Sequence, residues 1–282
     1  MSYRFLLISA FSLPDTAGYR MRAFSGRKQD MLLNHDMLAP LLAGVEWDVH
    51  SGAPATHGEW PVETREEFAI TGVNRLKVVR EACATSLYNA IILLGGGDPG
   101  YVEAREIGHR HGIAVTACAH AQMHAAGMLG HRFSIIDISE NHNLRMADLV
   151  VQYRMADRCA SIRNLEFPLP RPAHAGRVSV QDESERYRRE GISDMLESAV
   201  AQSIAAIEED GAESIILGCS AAYWLQPVLR QRLAEAGWDV PVLEGYRCAI
   251  AQAKMLVDLG VDASGIAFPK DPPPRTRLRK FV

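Results

Sequence analysis

The chain predicts an α/β fold built from parallel βαβ units. Three observations carry that expectation. Short apolar runs of strand length alternate with longer helix-like stretches along most of the sequence. Two runs, 90–94 and 215–217, are unbroken aliphatic, as strands buried on both faces are. Each passes at once into a glycine turn, Gly95-Gly-Gly-Asp-Pro-Gly100 after the first and Gly218-Cys-Ser220 after the second.

The 282 residues suit one large or two modest α/β domains. A net charge of −4 is mild and argues against a nucleic-acid or membrane partner. No apolar run reaches membrane-spanning length. The apolar stretch 5–11 lacks a cleavage region and reads as a first strand, not a signal peptide. Cys83, Cys118, Cys159, Cys219 and Cys248 are scattered without CxxC spacing. That argues against a zinc ribbon or a disulfide framework and favours a reducing cytoplasm.

In order, residues 3–10 read as strand one, and Pro14 and Asp15 punctuate a turn. Residues 18–42 read as mainly helical with an interruption at Pro40, and 46–50 as strand two. After a polar loop at 51–61 come helix 65–87, strand 90–94, helix 101–111 and strand 113–117. Helix 121–129, strand 132–138 with Asp137 near its end, helix 143–153 and strand 159–165 follow. A proline-rich loop, 168–174, precedes a long amphipathic region, 183–210, that Gly191 should break. Strand 215–217, helix 223–233, strand 240–243 and helix 248–258 complete the pattern. The tail, 269–282, reads as an end ordered only on contact or disordered, its basic charge solvated.

Cys219 carries the most chemistry. It stands at the carboxyl end of a predicted strand and near the start of a helix, where open α/β sheets bind ligands. Free N–H groups and the helix dipole at such a turn attract anions and lower thiol pKa values. The competing reading is a small buried thiol filling a strand end. Gly95–Gly100 formally satisfies GxGxxG, but no acidic residue follows the next strand at 117–120. An anion-holding turn therefore fits better than a dinucleotide site. His120 and His124 share a helix face, but Ala121 stands where a zinc protease needs Glu. These two, with His109 and His111, read as hydrogen-bonding or surface groups, and no metal site is expected. Cys118, beside His120, reads as a core thiol in preference to a reactive one; Cys83, Cys159 and Cys248 read the same way.

Several motifs together resemble the Asp/Glu/hydantoin racemase superfamily, most nearly its hydantoin racemase branch. They are Ile-Leu-Gly-Cys-Ser at 216–220, Gly-Asp-Pro-Gly at 97–100, Met-His-Ala-Ala-Gly at 123–127, Val-Pro-Val-Leu-Glu-Gly at 240–245, Arg-Phe-Ser-Ile-Ile at 132–136 and Ala-Asp-Arg-Cys-Ala-Ser-Ile-Arg at 156–163. The resemblance runs from about 63 to 259. It implies two similar Rossmann-like α/β domains related by a pseudo-two-fold, 1–122 with 245–282 and 123–244, and an active site in the cleft between them. It implies no cofactor: two cysteines on opposite faces of a small carboxylate or hydantoin-like substrate move protons at a carbon next to a carbonyl. The second cysteine matches Cys219. The first falls at Gly95 in the pattern Cys-x-Gly-Asp-Pro-Gly. The family's Asn-Pro-Asn-Thr-like first turn is replaced by the segment from Ser9 to Asp15, and the commonly acidic position is His120.

Catalysis is therefore expected at Cys219. Substrate binding is expected at Gly95, Gly96, Gly97, Gly218 and Ser220, with Asp137, His120 and Ser9. Without a first thiol, Cys219 serves one face of an enolate unless His120 or Cys118 reaches the other. The arylmalonate decarboxylase-like subgroup resembles this chain in having glycine first and cysteine second; losing carbon dioxide makes the carbanion with no first base. The readings left open are a racemase or isomerase, a decarboxylase or lyase, and a non-catalytic binding relative. Assembly with copies of itself is expected. Cysteine at 95 is expected to restore two-faced exchange provided φ is negative there.

Overall fold

The computed structural model describes residues 2–275 and 277, so the last part of the tail read above lies outside the described residues. Strands β1 (Tyr3–Ile8), β2 (Val45–His50), β3 (Ala90–Leu93) and β4 (Ala114–Ala117) form a parallel sheet in the order β2-β1-β3-β4. Strands β5 (Phe133–Asp137), β6 (Cys159–Asn164), β7 (Ser214–Leu217) and β8 (Val242–Leu243) form a second in the order β6-β5-β7-β8. The predicted α/β class is observed, and one strand order is used twice. In each sheet the chain reverses direction of travel across the sheet between its first and third strands. That makes the carboxyl ends of β1/β3 and β5/β7 the places where a ligand crevice opens. Inner strands β3 and β7 are buried at every residue, which is why their sequences are continuous aliphatic runs.

The helices are α1 (His35–Leu42), α2 (Arg65–Ala84), α3 (Tyr101–Arg110), α4 (Cys118–Leu129), α5 (Glu140–Gln152), α6 (Val180–Glu190), α7 (Asp194–Glu208), α8 (Leu225–Glu235) and α9 (Gly245–Asp258). Helix α9 returns to the first sheet: Tyr246, Ala249, Ile250 and Ala253 share a core with Phe5, Leu7 and Ile92. Gly191, with φ +73°, separates α6 from α7 as its position predicted. Among the described residues no helix is long and apolar enough to cross a membrane.

Two expectations are corrected. Residues 18–42 are not mainly helical; only His35–Leu42 is, with Pro40 inside it. Residues 18–34 form irregular turns, and their apolar side chains Met21, Phe24 and Leu33 are committed to the wall of a cavity instead of one helical stripe. Helix α4 begins at Cys118, not at 121. Its first N–H groups, on Ala119 and His120, are accepted at 2.9 and 2.8 Å by the Asp98 carboxylate. A cap some twenty residues away in sequence leaves no local start signal.

A buried ionic clasp ties the start of α2 to the loop that follows β6. Glu67, in the first turn of α2, receives both guanidinium arms of Arg171 at 2.9 and 2.7 Å. It also accepts from the indole of Trp60 and the N–H of Glu63, each at 2.8 Å. Glu63 in turn accepts the hydroxyl of Ser139, and His174 Nε2 lies 2.8 Å from it. Ser139 caps α5 by accepting the N–H of His142. The clasp thereby fixes the start of α5 relative to α2.

Candidate active site

A cavity of about 80 Å³ lies where the two crevices face one another. From the first sheet Ala10, Phe11 and the turn Gly95–Gly97 line it; from the second come Cys219, Ser220 and His142. The two turns touch through backbone. A Cβ on Gly96 would sit 2.1 Å from the Gly218 carbonyl oxygen and 3.1 Å from Cys219 Cα, so only glycine permits this approach. The N–H groups of Gly96, Gly97 and Ser220 have no protein acceptor among the described residues. Unsatisfied donors in a shared crevice are what an anion-holding turn requires.

A buried cation stiffens the turn from below. Arg75 donates to the carbonyls of Leu94, of Pro99 at 3.1 Å and of Ile8 at 3.4 Å, tying the ends of β1 and β3 together. Complete burial pulls its guanidinium down to about 10, still charged at neutral pH. Asp98, capping α4 from the same turn, is pushed up to about 6 by burial, against the opposing N–H bonds of His120 and Ala119.

Behind Cys219 stands a pair that the motif reading did not assemble. Asp137, at the end of β5, lies 2.7 Å from His142 Nδ1. It also accepts the N–H of Ile138, and its carboxyl packs where a Cβ of Gly218 would be. His142 sits in the first turn of α5 and lines the cavity with Cys219. Burial alone would push its imidazole down. The charge of Asp137 and its hydrogen bond to Nδ1 outweigh that and hold it well above its ordinary range. The local signal was present: an acid ending a strand, then a histidine five residues on at the helix start.

The other expected positions are placed as follows. Gly97 abuts the Phe68 ring, and its carbonyl accepts Arg145 Nε at 2.9 Å. Ser9 is fully buried one residue short of the cavity wall, its Oγ without a partner among the described residues. Asp137 and Gly218 support the cavity without lining it. His120 is elsewhere: it meets Tyr101 Oη at 3.1 Å and His124 ring to ring at 4.1 Å, lining a separate groove. Burial, then His124 and Arg105, push it down to about 3. Cys118 is fully buried and its thiol is raised by desolvation. Neither group lines the cavity. Burial likewise raises Cys83 and Cys159 to about 11 and Cys248 to about 12, which keeps them unreactive.

Gly95 decides what can stand opposite Cys219. Its φ is +114°, and an added Cβ would meet Ala10 Cβ at 3.2 Å. The condition set for a cysteine at this position is not met. Gly95→Cys and Gly95→Ala are each expected to cost about 1–3 kcal/mol of stability. Urea unfolding of both variants checks this; unchanged midpoints would mean that the turn accepts a side chain.

Two parallel sheets of one strand order, opposed across a single lining thiol, define a class of two-sheet α/β proteins. The chain belongs to the Asp/Glu/hydantoin racemase family, whose model matches residues 61–253. A hydantoin racemase of Pseudomonas sp. (strain NS671) is 29% identical over 189 residues, 65% of this chain; the match spans 64% of that racemase's own length. The allantoin racemase of Klebsiella pneumoniae is 25% identical, with a TM-score of 0.67 over 95% of this chain and 94% of the other. A doubly substituted arylmalonate decarboxylase in its liganded form shares the fold, with a TM-score of 0.56 at 14% identity over 90% and 92% of the two chains.

Proposed function

We propose that this protein protonates a carbanion next to a carbonyl on one face of a small substrate, with Cys219 delivering the proton. The observation that carries this is the asymmetry of the cavity. One thiol stands on the wall formed by the second sheet, and a glycine without a side chain stands on the wall formed by the first. Protonation from one face suits a malonate-type acid. Its carbon–carbon bond breaks, carbon dioxide leaves, and the electron pair remains as an enediolate. The free N–H groups of Gly96, Gly97 and Ser220 would hold that oxyanion. The S–H bond of Cys219 then breaks as the new C–H bond forms, and protonated His142 returns a proton to sulfur.

Racemisation of a hydantoin or of allantoin, the substrates named for the relatives, is the second reading; sequence likeness to them favours it. It needs a base on the Gly95 side. The test is incubation with a chiral hydantoin, allantoin and a malonate-type acid in deuterated water. Deuterium uptake would be followed by NMR alongside carbon dioxide release. One-faced deuteration with carbon dioxide release is expected, the hydantoin keeping its optical activity. Fast racemisation by the wild type would overturn the one-thiol reading.

A further inference from the structure

We propose that Arg22 is the carboxylate receptor of this cavity, so that the ligand is an organic anion carrying an apolar, ring-sized substituent and not a neutral ureide ring. The inference rests on the proton-transfer reading of Cys219 and names the class of substrate that reading leaves open. Its first support is the cation itself. Arg22 lines the cavity from the irregular 18–34 segment, and no carboxylate of the described residues pairs with it. Its Nε is buried without an acceptor, and its one hydrogen bond, to Tyr246 Oη, is 3.5 Å long. A guanidinium is charged at every working pH, and an unmet donor beside a largely apolar cavity is costly. A carboxylate supplies both the counter-charge and the missing acceptor.

The second support is the rest of the wall. No aspartate or glutamate lines the cavity, so an anion meets no repulsion there. Phe11, Leu13, Phe24, Val62, Phe68 and Leu169 make much of the rest of the wall apolar. A hydantoin or ureide presents several N–H and C=O groups around its ring; the free N–H groups of the cavity can meet its carbonyls, but against the aromatic and aliphatic part of the wall its N–H groups lose their water without replacement. An apolar substituent loses nothing. The volume agrees: at about 10–15 Å³ for each water a cavity holds, the space takes roughly six waters, the bulk of one small substituted ring.

The third support is placement. Tyr246 is fully buried, its phenol is raised by desolvation, and it is therefore a neutral hydroxyl free to donate. Ser220, which lines the same cavity as Tyr246, follows Cys219 directly in the chain. A carboxylate held by Arg22 and Tyr246 would thus sit in the cavity that Cys219 and Ser220 also line.

The test separates binding from turnover by using the Cys219→Ala protein, which has no thiol to do chemistry. Calorimetric titration with phenylacetate, phenylmalonate and 5-benzylhydantoin is compared with the same titrations of Cys219→Ala/Arg22→Leu and Cys219→Ala/Arg22→Lys. The two acids are expected to bind. Arg22→Leu should weaken them roughly 10- to 100-fold, Arg22→Lys less, and neither should change the hydantoin. Equal acid affinities in the Leu variant, or a hydantoin that binds more tightly than both acids, overturns the assignment. Wild-type deuteration experiments stand apart from this outcome: an inactive wild type that binds the acids through Arg22 sinks the Cys219 chemistry and leaves the receptor intact.

Discussion

Cys219→Ala is expected to lower turnover by about 10²- to 10⁴-fold while leaving the unfolding midpoint within about 0.5 kcal/mol of wild type. The thiol is nearly buried, small, and packed by a turn whose shape is set by backbone contacts, so removing sulfur leaves little behind. Cys219→Ser keeps the shape but offers a far weaker acid, and should recover little. His142→Gln is the companion. It removes a cation that Asp137 holds protonated through neutral pH, so it should move the pH dependence of kcat as well as its height. A purely structural His142 would change the height and leave the profile where it was. Turnover at the wild-type rate in the alanine variant, read by carbon dioxide release or deuterium uptake, would remove Cys219 from the mechanism.

The largest loss of stability is expected from Arg171→Met. It leaves Glu67 and Glu63 buried without their shared cation, and breaking such a pair costs about 3–5 kcal/mol. The pH dependence has a definite sign. Burial alone would raise the Glu67 carboxyl; the Arg171 fork and the N–H groups of Thr64, Trp60 and Glu63 bring it down to about 2 instead of the usual 4.5. A carboxyl lowered on folding contributes its full stabilisation above pH 4.5, and loses it as pH falls from there toward 2. Denaturation of wild type and Arg171→Met should therefore differ most at neutral pH and converge in acid. A gap that stays constant down to pH 2.5 would mean that the fork is not what stabilises the clasp. Glu67→Gln added to Arg171→Met should recover part of the loss, because it removes the stranded charge.

The parts of the fold legible in sequence are those specified by neighbouring residues. Aliphatic runs at β3 and β7 announce buried strands, and the glycine turns behind them announce the crevices. Gly191 announces the break between α6 and α7. What was not legible is specified at a distance. The start of α4 depends on Asp98 from another turn, and the 18–34 segment lines the cavity instead of forming a helix. Of the residues that line the cavity, Cys219 and the glycines were legible because strand ends and glycine turns mark themselves. His142 was overlooked because its partner Asp137 was read alone, and Arg22 because a helix was expected around it. His120 lies away from this cavity: a position in a motif says which turn a residue follows, not which way its ring faces, and it faces Tyr101 and His124.

The backbone of Gly95 also constrains the routes by which this protein can change. With φ at +114° and Ala10 Cβ close by, a replacement at that single position starts from a strained intermediate, so two-sided proton exchange is not one step away. A library randomising 95 alone should return mostly poorly folded variants. Varying Ala10 together with 95 and 96 gives the turn room to change hand before the second thiol arrives. The order in which changes are made, more than their identity, then governs whether position 95 can carry a side chain.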